Sequence, residues 1–214
     1  KMALSEPART LYTELIVRIC EMQDKPEEGI KVLNEIFAHY ENPENKRKPA
    51  PFTYFHDLNY LLNFMGLPAT AQETPVLTTS RKLAVDNADS LHSEHQNIMQ
   101  TYAYMQEMRM YLLLHKPDAA LKAGEALEKY LTTVDHAEEE DMAILLLQAF
   151  AYVALKRYDR ALNRLNLIFT RDFIEINYLM PDAYLLNMIV HLELGNYSII
   201  KRQITLAENF VAKA

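Results

Sequence analysis

The sequence predicts an all-helical protein built from antiparallel helix pairs. Only four glycines occur among 214 residues, which is few for a sheet protein, because sheets use glycine in their turns and bulges. Good helix formers are abundant, notably Leu, Ala, Glu and Lys. Half of the residues are hydrophobic and 24% are charged, which is ordinary composition for a globular protein. Apolar residues recur at helical spacing along most of the chain.

Prolines, glycines and acidic residues mark the ends of the predicted helices. A first helix opens at Ser5–Pro7 and continues through Ile19. A second begins at Pro26, because proline is tolerated in a first turn and the acidic residues that follow it interact well with the helix dipole. The proline-rich stretch 41–51 predicts a loop. Further helices are predicted over residues 52–65, 76–87, 91–115, 117–133, 142–157, 158–169 and 181–194, and after the turn at Gly195–Asn196. Residues 170–180 are compatible with a loop or a short helical turn.

A repeated pattern is visible in the C-terminal half of the chain. Its best copy is defined by Ala149, Tyr152, Tyr158, Ala161, Leu165 and Ile168. Ala120 stands 41 residues before Ala161, and Ile200 stands 39 residues after it. Small residues allow two antiparallel helices to approach closely, and aromatic residues fill the spaces beside them. We therefore expect residues 91–214 to form repeated helix pairs and residues 1–90 to form hairpins with little or no repeat, within one continuous domain.

This pattern resembles the tetratricopeptide (TPR) repeat. The resemblance covers about residues 91–212, and more weakly 7–40, where Gly29 takes the place of the alanine. It is divergent, because the usual period is about 34 residues and Leu145 stands where a large aromatic residue is expected early in the first helix. The resemblance implies antiparallel pairs stacked as a right-handed αα-superhelix. A bundle of amphipathic hairpins is the alternative architecture.

The resemblance also implies a binding surface, since proteins of this family commonly bind peptides or proteins along their first helices. The residues that this geometry selects are Tyr102, Met105, Arg109, Leu146, Phe150, Val153, Leu185 and Ile189. The lysines and asparagines with which chaperone-binding members grip a C-terminal carboxylate are missing from these positions. We therefore expect a mostly apolar strip, covered by residues 51–90, by a second copy of the chain or by a foreign amphipathic helix.

Charge and motif content argue against several function classes. The formal net charge is −7, which disfavours nucleic-acid binding. Arg157, Arg160 and Arg164 form one positive stripe, which is suited either to an acidic partner or to a solvated outer face. His92 and His95 lack the spacing and the further ligands of a zinc site, so we expect no metal or other cofactor. No phosphate loop, dinucleotide fingerprint or nucleophile elbow occurs, and we expect no enzyme activity.

These observations favour a noncatalytic scaffold or adaptor whose partner is a protein or peptide, including a second copy of the chain. The alternative is a component of a surface uptake system that binds small ligands or glycans, for which the thirteen tyrosines could supply stacking surfaces. A single cysteine, Cys20, suits a reducing compartment, and no apolar run is long enough to span a membrane. We therefore expect a cytoplasmic protein.

Overall fold

The computed structural model describes residues 25–42, 93–135, 138–170 and 179–211. It also describes short groups between residues 12 and 23, 53 and 58, and 78 and 83. Seven helices have defined bounds: α1 Pro26–Glu41, α2 Ser93–Leu113, α3 Pro117–Leu131, α4 Glu138–Ala154, α5 Tyr158–Thr170, α6 Met180–Glu193 and α7 Tyr197–Val211. The described part of the chain contains no strand, and the predicted bounds of these helices agree with the observed ones to within a few residues.

Several predicted segments fall largely outside the described residues. They are most of the first helix, the loop after Asn42, most of 52–65 and 76–87, and residues 171–178. Contacts between Cα atoms divide the chain into two compact units, Lys1–Gln106 and Glu107–Ala214, and the division falls within α2. The separation predicted at residue 90 remains a prediction.

The core of the second unit forms where α4, α5 and α6 meet. The amphipathic helix α5 buries Ala161, Leu165 and Ile168, which lie on one face at i, i+4 and i+7. They pack in one cluster with α4 residues including Ala149 and with α6 residues including Leu186. Helix α5 thus packs both on its own first helix and on the first helix that follows. This arrangement confirms the predicted helix pairs, and Ala161 is fully buried, as its place in the motif requires.

The turn that joins the two helices of each pair has the same geometry three times. His115, Lys156 and Gly195 all have positive φ, at 56°, 57° and 72°. After each of these residues, one amide donates to a carbonyl five positions back, as from Arg157 to Tyr152 at 2.8 Å and from Asn196 to His191 at 2.8 Å. This is the Schellman arrangement, which satisfies the last carbonyls of a helix while the chain turns. The three turns are 41 and 39 residues apart, so they repeat with the period of the motif.

The first unit has its own aromatic core. In α1, Leu33, Phe37 and Tyr40 are buried and pack with Val17 and Leu58. The Tyr40 hydroxyl donates a buried hydrogen bond of 2.9 Å to Oδ2 of Asp57. A buried carboxylate is stable only where such donors compensate for its lost hydration, so this bond fixes the position of the segment around Asp57 against α1.

The close contact at Ala161 generates a prediction for stability. Ala161→Leu should lower the free energy of unfolding by about 1–3 kcal/mol, because the added atoms have no space at a fully buried helix contact. Ala154→Leu, at an exposed position of α4, is the matched control and should change it by less than about 0.5 kcal/mol. Urea unfolding followed by circular dichroism measures both. Equal effects at the two alanines would contradict the assigned helix contact.

The turn at Gly195 generates a second prediction. A Cβ atom placed there would meet no atom within 4 Å, so Gly195→Ala should act through backbone conformation alone. It should destabilise the protein by about 1 kcal/mol, because a left-handed backbone is unfavourable for alanine. Gly195→Asn should cost less, since asparagine adopts this conformation more readily. Thermal unfolding of both variants tests the order, and a more stable alanine variant would contradict the assigned turn.

Candidate protein-binding surface

Phe150 and Ile189 occupy equivalent positions on two neighbouring first helices. They lie 39 residues apart, on α4 and α6, which contact each other. Their side chains are 39% and 40% exposed, although each is large and apolar. Arg109 holds the corresponding position on α2, 41 residues before Phe150, and burial lowers the pKa of its guanidinium from the ordinary value. We call Phe150 and Ile189 the first-helix strip.

Two predicted strip residues on α4 do not project from the open surface. Leu146 is only 4% exposed and belongs to the core formed with α5 and α6, and Val153 is partly buried against the same core. Whether they take part in binding remains a prediction. Their burial has a geometric cause, because α4 contacts helices on several sides, and the cluster that contains Leu146 and Val153 includes residues of α5 and α6.

The remaining predicted residues have varied surroundings. Leu185 of α6 is exposed. In the first unit, Tyr102 is exposed, whereas Met105 is partly buried. Whether any of these residues binds a partner remains a prediction.

Sequence reasoning missed a buried polar residue that recurs in the first helices α2, α4 and α6. Glu107, Gln148 and Asn187 stand at equivalent positions, 41 and 39 residues apart, and all three are buried. Within the described residues, Oε1 of Gln148 and Oδ1 of Asn187 have no hydrogen-bond partner. The Gln148 amide lies against α3, where a Cβ atom on Gly124 would come within 3.1 Å of its nitrogen. Glycine at 124 therefore makes room both for Met108, whose Cε would lie 2.9 Å from that Cβ atom, and for the polar side chain of Gln148. Comparison of the three repeats would have revealed the position of the polar residue.

Two arginines of the stripe, Arg157 just before α5 and Arg164 within it, lie near acidic residues of α3, the preceding second helix. Arg164 lies 3.5 Å from Glu128 and Arg157 lies 3.9 Å from Asp118, both on α3. These ion pairs are partly or largely exposed, so each contributes at most about 1 kcal/mol. Two of the three arginines are therefore engaged within the chain, and the stripe offers less free positive charge than the sequence suggests.

A cleft of about 240 Å³ opens beside the same helices. Its lining residues include Leu131, Ile144 and Leu167, together with Glu128, Asp141 and Arg164. Pockets that enclose drug-sized ligands usually measure about 300–1,000 Å³. The cleft is smaller than that range, and its arginine is already paired with Glu128.

Potential metal ligands do not converge in the part of the chain that the structure describes. There, no group of three or more His, Cys, Asp or Glu side chains is arranged to hold a metal ion. His92 lies outside the described residues. Within the same part, none of the helices combines the length and the apolar character needed to cross a lipid bilayer.

His191 occupies the position that Tyr111 and Tyr152 hold in the preceding first helices. It is buried, as expected for a histidine at an inter-helix position, and burial lowers its pKa from the ordinary value. Its Nδ1 lies 3.4 Å from the side-chain nitrogen of Asn196, and its carbonyl accepts the amide of Asn196. The lowered pKa favours the neutral imidazole, which lies beside the turn between α6 and α7 and is close to Asn196.

Comparison with known proteins identifies the fold. No protein-family model matches the sequence, and no curated protein matches it. A solved structure does match: the crystal structure of a variant of a Podosopora anserina protein assigned as a kinesin light chain, with nearly identical TPR-like repeats. The match has a TM-score of 0.63 and 14% sequence identity, and it covers 99% of this chain and 98% of the other.

The chain therefore has the fold of a TPR-like helical-repeat protein. At 14% identity the likeness defines the fold alone.

The buried histidine generates a prediction about pH. Because its folded-state pKa is lowered, the neutral ring contributes stability that is present above its unfolded pKa of about 6.5 and is lost as the pH falls through the folded pKa. His191→Tyr places the residue of the two preceding repeats there and should reduce the loss of stability between about pH 7 and pH 5. Urea unfolding of both proteins across this range measures it. If the stability of the two proteins depended on pH in the same way, burial of His191 would not be the cause of the pH dependence.

Proposed function

We propose that the chain is a noncatalytic scaffold or adaptor that binds a protein or peptide along the first-helix strip. The observation that carries this proposal is the exposure of Phe150 and Ile189 at the same position of adjacent first helices. Full burial of such a side chain is worth about 1.5–3 kcal/mol relative to full exposure, so leaving about two fifths of each in water forfeits part of that free energy. A partner that covers them recovers part of that free energy, and the apolar strip suits an apolar side of a peptide or helix better than a charged ligand.

The net charge of the chain supports a protein rather than a nucleic acid as the partner. A net charge of −7 disfavours binding to the phosphates of nucleic acid. We propose a cytoplasmic location, because the single cysteine, Cys20, is buried as a free thiol.

The test compares two charged substitutions at exposed apolar side chains. Phe150→Asp should abolish retention of the specific partner on immobilised protein, because a carboxylate would be desolvated in the contact. Leu167→Asp, at an exposed leucine of α5 outside the strip, is the matched control and should retain the partner. Mass spectrometry identifies the proteins that bind the wild type and the control but not Phe150→Asp. If all three retain the same proteins, the strip is not the binding surface.

Light scattering and circular dichroism on the same variants distinguish what covers the strip: a second copy of the chain, residues 51–90 or a foreign partner. If a second copy covers the strip, Phe150→Asp should convert an oligomer to a monomer with unchanged helicity. If residues 51–90 cover it, the substitution should instead lower the melting temperature. A monomer of unchanged stability would favour a foreign partner.

A further inference from the structure

One face of the α4–α5 pair is covered by the first helix of the next pair. Leu146 of α4 is buried in a cluster with α6 residues, and Leu162 and Phe169 of α5 pack against that cluster. The Phe169 ring lies 5.0 Å from the ring of Tyr184, near the start of α6. We call this the inter-repeat face, and α6 lies along it.

A hydrogen bond fixes the other end of α6 on the same face. The Tyr158 hydroxyl, at the start of α5, donates to Oε2 of Glu193 at 2.9 Å, and this bond raises the pKa of Tyr158. Helix α6 is therefore held by an aromatic contact near its beginning, by apolar packing along its length and by a carboxylate at its end.

The α6–α7 pair presents the same face again, but here it is open. Leu185, Leu192 and Tyr197 stand 39 residues after Leu146, Val153 and Tyr158, and they are 55%, 53% and 68% exposed. Within the described residues, the Tyr197 hydroxyl has no hydrogen-bond partner, whereas that of Tyr158 bonds Glu193. One repeat earlier, the equivalent side chains pack in or against the cluster that includes α6 residues. On α6 and α7 themselves, these side chains are exposed to solvent.

Two residues of α7 differ in chemistry from the residues at the equivalent positions of α5, and this changes the α7 side of the face. Lys201 stands where α5 has Leu162, and Glu208 stands where α5 has Phe169, and both are exposed. The side formed by α6 is therefore apolar, and the side formed by α7 carries a positive and a negative charge seven residues apart. A ligand that fits has to match both sides at once.

We propose that this open inter-repeat face binds one amphipathic helix of a partner protein, in the position that α6 occupies on the preceding pair. The helix would lay an apolar stripe on Leu185 and Leu192. Near its end it would offer a carboxylate to Tyr197 and Lys201, as Glu193 does for Tyr158. In its first turns it would carry a basic residue facing Glu208, where Tyr184 faces Phe169. The inference rests on the proposed scaffold function. It uses Leu185 and Leu192, which lie about one turn on either side of Ile189 on α6, so this face adjoins the first-helix strip at Ile189 but does not include Phe150.

The chain's own α6 provides the probe, because it is the helix that fits the equivalent face. We would synthesise a fluorescent peptide of residues 179–194 carrying Tyr184→Lys, with both ends blocked, and measure its binding to the whole protein by fluorescence anisotropy. A charge-reversed peptide, with Tyr184→Glu and Glu193→Lys, is the matched control. The first peptide should bind saturably, and the control should bind about tenfold more weakly, because both of its charges would meet like charges.

Protein variants locate the site. Leu185→Asp should weaken binding of the first peptide at least about tenfold, since burial of a leucine is worth more than one factor of ten in affinity. Leu167→Asp should leave binding within about twofold. Tyr197→Phe should weaken a peptide that retains Glu193 by about three- to tenfold, and should have little effect on the same peptide with Glu193→Gln. Leu185 and Tyr197 are more than half exposed, and circular dichroism checks that both variants fold.

Several results would overturn the proposal. These are no saturable binding at millimolar peptide, equal binding of the two peptides, or binding that survives Leu185→Asp. Sedimentation tests the other occupant, a second copy of the chain. If the protein is a dimer, if Leu185→Asp abolishes this dimer and if the peptide does not dissociate it, the face binds a second copy instead. The Phe150→Asp variant should bind the peptide as tightly as the wild type does. The experiments therefore distinguish a failure of the proposal for the first-helix strip from a failure of the proposal for this face.

Discussion

Two antiparallel helices that are joined by a short turn pack most closely where a small side chain lies at the contact between them. In the three described pairs α2–α3, α4–α5 and α6–α7, the turn within the pair uses a residue with left-handed backbone. A small or apolar residue follows five positions later in sequence: Ala120 after His115, Ala161 after Lys156 and Ile200 after Gly195. The turn therefore fixes where the second helix begins, and this determines which residue meets the first helix. Ala120 and Ala161 are fully buried, whereas Ile200 is bulkier and only partly buried.

Because the geometry repeats, one position can be followed through different environments. Position 148 and its equivalents carry Glu107, Gln148 and Asn187, all buried. Position 146 and its equivalent carry leucine in both α4 and α6, yet Leu146 is buried and Leu185 is exposed. The residue type is the same, and the difference is whether another helix lies against it. Exposure on α6 is therefore a property of the stacking, which leaves apolar side chains of α6 uncovered.

The sequence was sufficient to predict the helices and their pairing, because Pro117, Pro181 and Gly195 mark helix ends by well-understood backbone preferences. It was not sufficient for the left-handed turns at His115 and Lys156, since positive φ is uncommon for any residue other than glycine, and lysine, unlike histidine, is not enriched there. The candidate surface was predicted in part. Phe150 and Ile189 lie at the surface, but Leu146 does not, because projecting one helix onto a wheel cannot show which of its sides the next pair covers.

Both proposed surfaces depend on the packing of α5 on α4 at Ala161, in the register set by the turn at Lys156. Nuclear Overhauser contacts from the Ala161 methyl group, in protein with labelled alanine methyls, test this most directly. The predicted result is a set of contacts to α4 side chains of the same core, with no exchange contact to water, because Ala161 is fully buried in that cluster. A methyl group that contacts water and no residue of α4 would contradict the helix pairing and, with it, both proposed surfaces.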